Sequence, residues 1–116
     1  MAVTATVTKR YNAFGGLIVV GKLAFSGNYA TGGDTVSLAG LVPTSKLPAA
    51  VLVQGQGGGV FGWVDGTTLA NAKVKVFVEQ AVGTNSLLVE HTAVAYVAGI
   101  TGDTVKFVAF FFGAGE

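Results

Sequence analysis

These 116 residues carry no cysteine and a formal charge of +1, so they suit one domain with a modest core and exclude disulfides, thiolate catalysis and cysteine-based zinc. The close cations are Lys9-Arg10 and Lys73/Lys75 alone, which does not make the clustered basic surface of a nucleic-acid binder. Apolar residues reach 51% and charged ones only 11%, where about 25% charged is ordinary, and a domain this small cannot bury so much apolar surface by itself.

The dominant period along the chain is two, the mark of strands with one buried face. Val3, Ala5 and Val7 alternate with Thr4, Thr6 and Thr8 and predict a strand over Ala2–Thr8. Residues 1–13 are read either as this first strand or as an extended N-terminal arm that adds to a neighbour. On the arm reading, deleting Met1 to Arg10 weakens assembly and leaves the core folded. A second strand is predicted over Leu17–Ser26, with Gly21 at a bulge. The stretch "FSGNYATGGDTVSL" (Phe25 to Leu38) reads as a strand end, a tight Gly-Gly-Asp turn and a short strand over Thr35–Leu38, with Thr31 to Asp34 setting the register of the pair. Strands over Ala49–Gln54 and Val60–Val64 follow, and "GQGGG" (Gly55 to Gly59) between them reads as a mobile hairpin tip or a close backbone contact.

Val74, Val76 and Val78 alternate with Lys73, Lys75 and Glu79 in a strand over Lys73–Gln80. Leu87–Ile100 alternates weakly and stays open between strand, short helix and packed loop. The last strand, Thr104–Gly113, puts Val105, Phe107, Ala109 and Phe111 on one face and Lys106, Val108, Phe110 and Phe112 on the other. Towards its end both faces are apolar. Such a strand lies between two layers or against a neighbouring subunit, and the short chain favours the second in part. Short strands with regular turn signals predict an all-β, single-domain antiparallel β-sandwich or jelly-roll-like barrel over residues 1–116.

Little in the sequence suggests chemistry. "GQGGGVFG" lacks the Gly-Lys-Ser/Thr ending of a phosphate loop and reads as a turn. Asp34, Asp65 and Asp103 each neighbour a glycine, as turn-capping aspartates do. His91 follows Glu90, but Ser26, Ser37, Ser45 and Ser86 lie outside any Gly-x-Ser-x-Gly elbow. Glu79 and Glu90 would serve a hydrolase only if they faced one cleft. No catalytic residue, cofactor or metal is predicted. Neither a signal peptide nor a membrane partner is expected, since a spanning helix needs about 20 apolar residues. Trp63, with Phe61 and Tyr96, suggests an alternative: an aromatic platform of a carbohydrate-binding or adhesive fibre domain.

Val3 to Arg10, then Leu23 to Leu41 with its "F-S-G-x-Y-x-T-G-G-D-x-x-x-L" pattern, resemble small virion structural proteins of tailed bacteriophages. The later "Val-Phe-Gly-Trp-Val-Asp" and "Lys-Val-Lys-Val-Phe" strands and the C-terminal strand are similar too. The resemblance implies a capsid decoration, or cement, protein with a jelly-roll or related β fold. It implies a homotrimer on the outer surface of the shell, partnered by the major capsid protein and assembled in the host cytoplasm. It brings no catalytic residues, and the low charge of this chain departs from the pattern. The residues expected at a subunit or capsid interface are Phe107, Phe110, Phe111, Phe112, Trp63, Lys9, Arg10 and Tyr11.

Overall fold

The period-two runs become eight strands in the computed structural model, which describes residues 3–13, 15–43, 46–57, 59–80, 87–91, 93–96 and 98–112. The strands are β1 (Val3–Ala13), β2 (Gly16–Phe25), β3 (Asp34–Val36), β4 (Ala50–Gln54), β5 (Val60–Val64), β6 (Ala72–Gln80), β7 (Leu87–Glu90) and β8 (Val105–Phe112). One helical turn, α1 (Ala98–Thr101), precedes β8. All the strand pairs are antiparallel. The first sheet runs β1-β2-β8-β4. In the second, Val74 pairs with both Asp34 and Trp63, and Phe77 with both Val60 and Glu90. Strand β5 therefore flanks β6 on one side, and β3 and β7 share the other. Two antiparallel sheets stacked face to face are an all-β sandwich, as expected.

The inward faces supply the core. Val3, Val19, Leu23, Phe25, Val105, Phe107, Ala109 and Phe111 come from the first sheet, and Val36, Val74 and Val76 from the second. Leu38, Val42 and Leu69 close one part of the sandwich from the connections, and Tyr29, Tyr96 and Ile100 close another. Alternation explains the split: β8 is buried at Val105, Phe107, Ala109 and Phe111, while Lys106 between them is exposed.

Gly21 is a point of close approach. A Cβ there would lie 2.2 Å from the Thr6 carbonyl oxygen and 2.6 Å from the Phe107 ring. The bulge lies across from it, in β1, where the register shifts between Val7 and Lys9. The expected bulge at Gly21 is thus corrected by one strand: the extra residue is Thr8, and glycine makes room for the strand it displaces.

Two open readings are decided and one further expectation changes. Residues 3–13 are no extended arm, because β1 pairs with β2 along its length and Val3 is in the core. Deleting Met1 to Arg10 would strip an edge strand rather than a tether. The stretch Phe25 to Leu38 is no hairpin, because β2 pairs with β1 and β8 whereas β3 pairs with β6. It carries the chain from one sheet to the other, through a turn closed by the Gly33 N–H donating to the Ala30 carbonyl (2.9 Å). Gly33, with φ +110°, sits 3.0 Å, by its would-be Cβ, from the Val74 carbonyl oxygen, so a side chain there would push the crossover off β6. Leu87–Ile100 resolves into β7, a bridge between Asn28 and Ala95, and the start of α1. Ala2, Ser45, Gly58, the turn at 83–85, Ser86, Gly113 and the side chains of Glu79 and Phe112 lie outside the described residues.

Candidate interaction face

Register fixes what the outer face of the first sheet presents, because cross-strand partners share a face. One row is Tyr11, Ile18, Phe110 and Ala50; the next is Lys9, Val20, Val108 and Leu52. The third is polar: Thr6, Lys22, Lys106 and Gln54. Ile18, Val20, Val108 and Phe110 are half-buried by their neighbours, whereas Leu52 keeps 64% and Tyr11 48% of its surface in contact with solvent. A sandwich sheet ordinarily turns polar residues outward. Here two of three rows are mainly apolar, and the described residues of the face include no carboxylate.

The expected interface residues separate across this sheet. Phe107 and Phe111 point inward and are buried inside the protomer, so they cannot meet a neighbouring subunit; their size fills the gap between the two sheets. Phe110, Tyr11 and Lys9 lie on the outer face. Arg10 is exposed but tied within the chain, its Nη2 donating to the Leu41 carbonyl at 2.7 Å. Phe112 pairs with Gly16 at the end of the sheet. Trp63 is on the inner side of β5, half-buried against the core, with Nε1 donating to Asp65 at 3.0 Å. Phe61 packs at a tilt against Phe25 (centroids 5.4 Å apart), and Tyr96 is buried. These three rings form no exposed platform.

Sequence reasoning missed a second constellation, of tyrosines and carboxylates where the Phe25 to Leu38 crossover meets β7. Tyr29 Oη donates to Glu90 Oε2 at 2.5 Å, and the Gly32 N–H donates to the same oxygen at 2.7 Å. Tyr96 Oη donates to Asp34 Oδ2, and the Ala30 N–H to Asp34 Oδ1 at 3.2 Å. The buried His91 ring packs on both tyrosines, with centroids 5.4 Å from Tyr29 and 5.3 Å from Tyr96. Burial, and then the bond to Glu90, push the Tyr29 hydroxyl up to about 12. Burial and the Asp34 bond raise Tyr96 as well. The bonds from Tyr29 and Gly32 hold Glu90 below the usual glutamate range. Hydroxyls held protonated by burial and by hydrogen bonds to carboxylates act as locks between the segments they join. They bind the crossover to β7 and to the segment around Tyr96, whose N–H also donates to the Gly27 carbonyl (3.1 Å). The sequence singled out Asp34, Tyr96 and the Glu90-His91 pair separately, but not their pairing, because Tyr29 and Glu90 lie 61 positions apart and Asp34 and Tyr96 62.

Asp103 acts as a cap at long range. It accepts from the N–H groups of Gln56 (2.9 Å) and Gly57 (2.8 Å) and so holds the glycine-rich stretch. That stretch is no hairpin tip, because β4 and β5 belong to different sheets, but it does make a close contact at Gly55, whose would-be Cβ lies 2.5 Å from Asp103 Oδ2. Among the described residues, no group of three His, Cys, Asp or Glu side chains could hold a metal ion, and no helix is long and apolar enough to cross a membrane. Comparison with protein-family models, curated proteins and solved structures gives no match to this chain.

Proposed function

We propose that the chain is a non-enzymatic viral structural protein that decorates and stabilises the capsid of a tailed phage, as a homotrimer on the shell surface. The observation that carries this reading is the apolar outer face of the first sheet, with Leu52 and Tyr11 largely in water. Leaving such a face wet is unfavourable, and an assembly that covers it recovers the transfer free energy. The sequence resemblance to small virion proteins supplies the kind of assembly. The tyrosine–carboxylate locks suit the same role, since they stiffen a crossover.

The test is co-sedimentation of the purified chain with heads of its phage stripped of this protein, alongside its mass by light scattering. The expected result is saturable binding and a mass near three times 11.7 kDa. A protein that stays monomeric at high concentration and ignores the heads contradicts the proposal.

A further inference from the structure

The polar row on the outer face contains an arrangement that the isolated fold does not need. Lys22 and Lys106 are direct cross-strand partners on β2 and β8, the central strands of the sheet. Both are exposed, and their neighbours along the row are Thr6 and Gln54. Like charges directly opposite each other destabilise a sheet. Lys9 adds a third cation to the face, one row away. A carboxylate at any of these register positions would have relieved the repulsion at no cost in packing, yet none stands there.

We infer that the Lys22–Lys106 pair seats a carboxylate of another protein, and that this outer face docks on an acidic, partly apolar surface of the shell subunit. The inference rests on the decoration reading above and names the partner chemistry of the same face. The two ammonium groups hold one acidic side chain between them. The Val20–Val108–Leu52 row beside them covers apolar surface next to that side chain. Charge complementarity of this kind sets orientation and association rate, whereas the apolar rows set the lifetime of the contact. It also disfavours a two-fold contact of this face with itself, because a copy of this face brings cations and, among its described residues, no acid.

The experiment compares the wild-type chain with Lys22→Gln/Lys106→Gln in binding to stripped phage heads at about 0.05 and about 0.5 M salt, a range over which the screening length falls several-fold. The double variant should bind about tenfold more weakly at low salt and lose most of its salt dependence. Its urea midpoint should stay level or rise, because the like-charge pair is gone. Unchanged binding by the variant overturns the inference and leaves the decoration reading standing. So does a wild-type oligomer that the variant turns into monomer, since the face is then a contact between copies. Tight binding of the wild type to phosphatidylserine vesicles, lost in the variant, overturns it in favour of a lipid surface. Failure of the wild type to bind heads at all removes both readings.

Discussion

Phe107 and Leu52 lie on adjacent strands and opposite faces of one sheet, and truncating each to alanine should separate folding from assembly. Phe107 has no exposed surface and packs at the centre of the core. Phe107→Ala removes its transfer free energy and leaves a cavity, together costing about 3–5 kcal/mol. For a domain of this size that lowers the thermal midpoint by about 12–20 °C, and it is a large part of a total stability of about 5–15 kcal/mol. Leu52 is different. Full burial of a leucine contributes about 1.5–3 kcal/mol. Leu52 is 64% exposed, so Leu52→Ala should cost the isolated chain less than about 1 kcal/mol. The other two-thirds, about 1–2 kcal/mol, appears only when the face is covered, which is about a five- to thirtyfold loss of affinity. Urea unfolding of both variants, with head binding of the Leu52 variant, measures each quantity. Equal destabilisation by the two substitutions would refute the assignment of the faces, and undiminished binding of Leu52→Ala would refute the docking role.

Gly21→Ala should be among the most damaging single-atom additions, because the new Cβ meets the Thr6 carbonyl, a backbone atom that cannot turn aside, as well as the Phe107 ring; a midpoint within a degree of wild type would contradict this. Tyr96→Phe removes the hydroxyl donated to the buried Asp34 and should cost about 1–3 kcal/mol by urea titration. Stability should also fall at both ends of the pH scale. Glu90 is lowered in the folded state, so its contribution is present above the usual glutamate value of 4.5 and is lost as pH falls below it. Tyr29 is raised, so its contribution is present below the usual tyrosine value of 10 and is lost as pH climbs through about 12. Glu90→Gln should flatten the acid limb of a urea-midpoint profile and Tyr29→Phe the alkaline limb; limbs that keep their slopes would place the titrating groups elsewhere.

Strand existence was legible wherever alternation was strict. Val60–Val64 was bounded without error and the start of the last strand to within one residue, because turn residues punctuate them. The two faces of β8 were legible for the same reason. Which apolar face is the inner one was not, since Val105–Phe111 and Val108–Phe110 are both hydrophobic and the choice depends on where the second sheet lies. The Phe25 to Leu38 stretch has the local grammar of a hairpin, but its strands belong to different sheets, and pairing partners are set by long-range packing rather than by turn residues. The tyrosine–carboxylate locks were invisible for that reason too. Asp34 does cap a local turn, as its neighbouring glycine suggested, yet its other oxygen is held by Tyr96.

The central claim is that the outer face of the β1-β2-β8-β4 sheet is covered in the assembled particle. Because the chain has no cysteine, Leu52→Cys provides a single thiol on that face, and Val64→Cys a control on the outer face of the other sheet. The measurement is the rate of maleimide labelling of each, free in solution and bound to heads. The account predicts that both thiols label quickly in the free protein and that only the one at position 52 becomes protected on the heads. Equal labelling at position 52 in the two states would show that the face stays in water, and the account would be wrong at its centre.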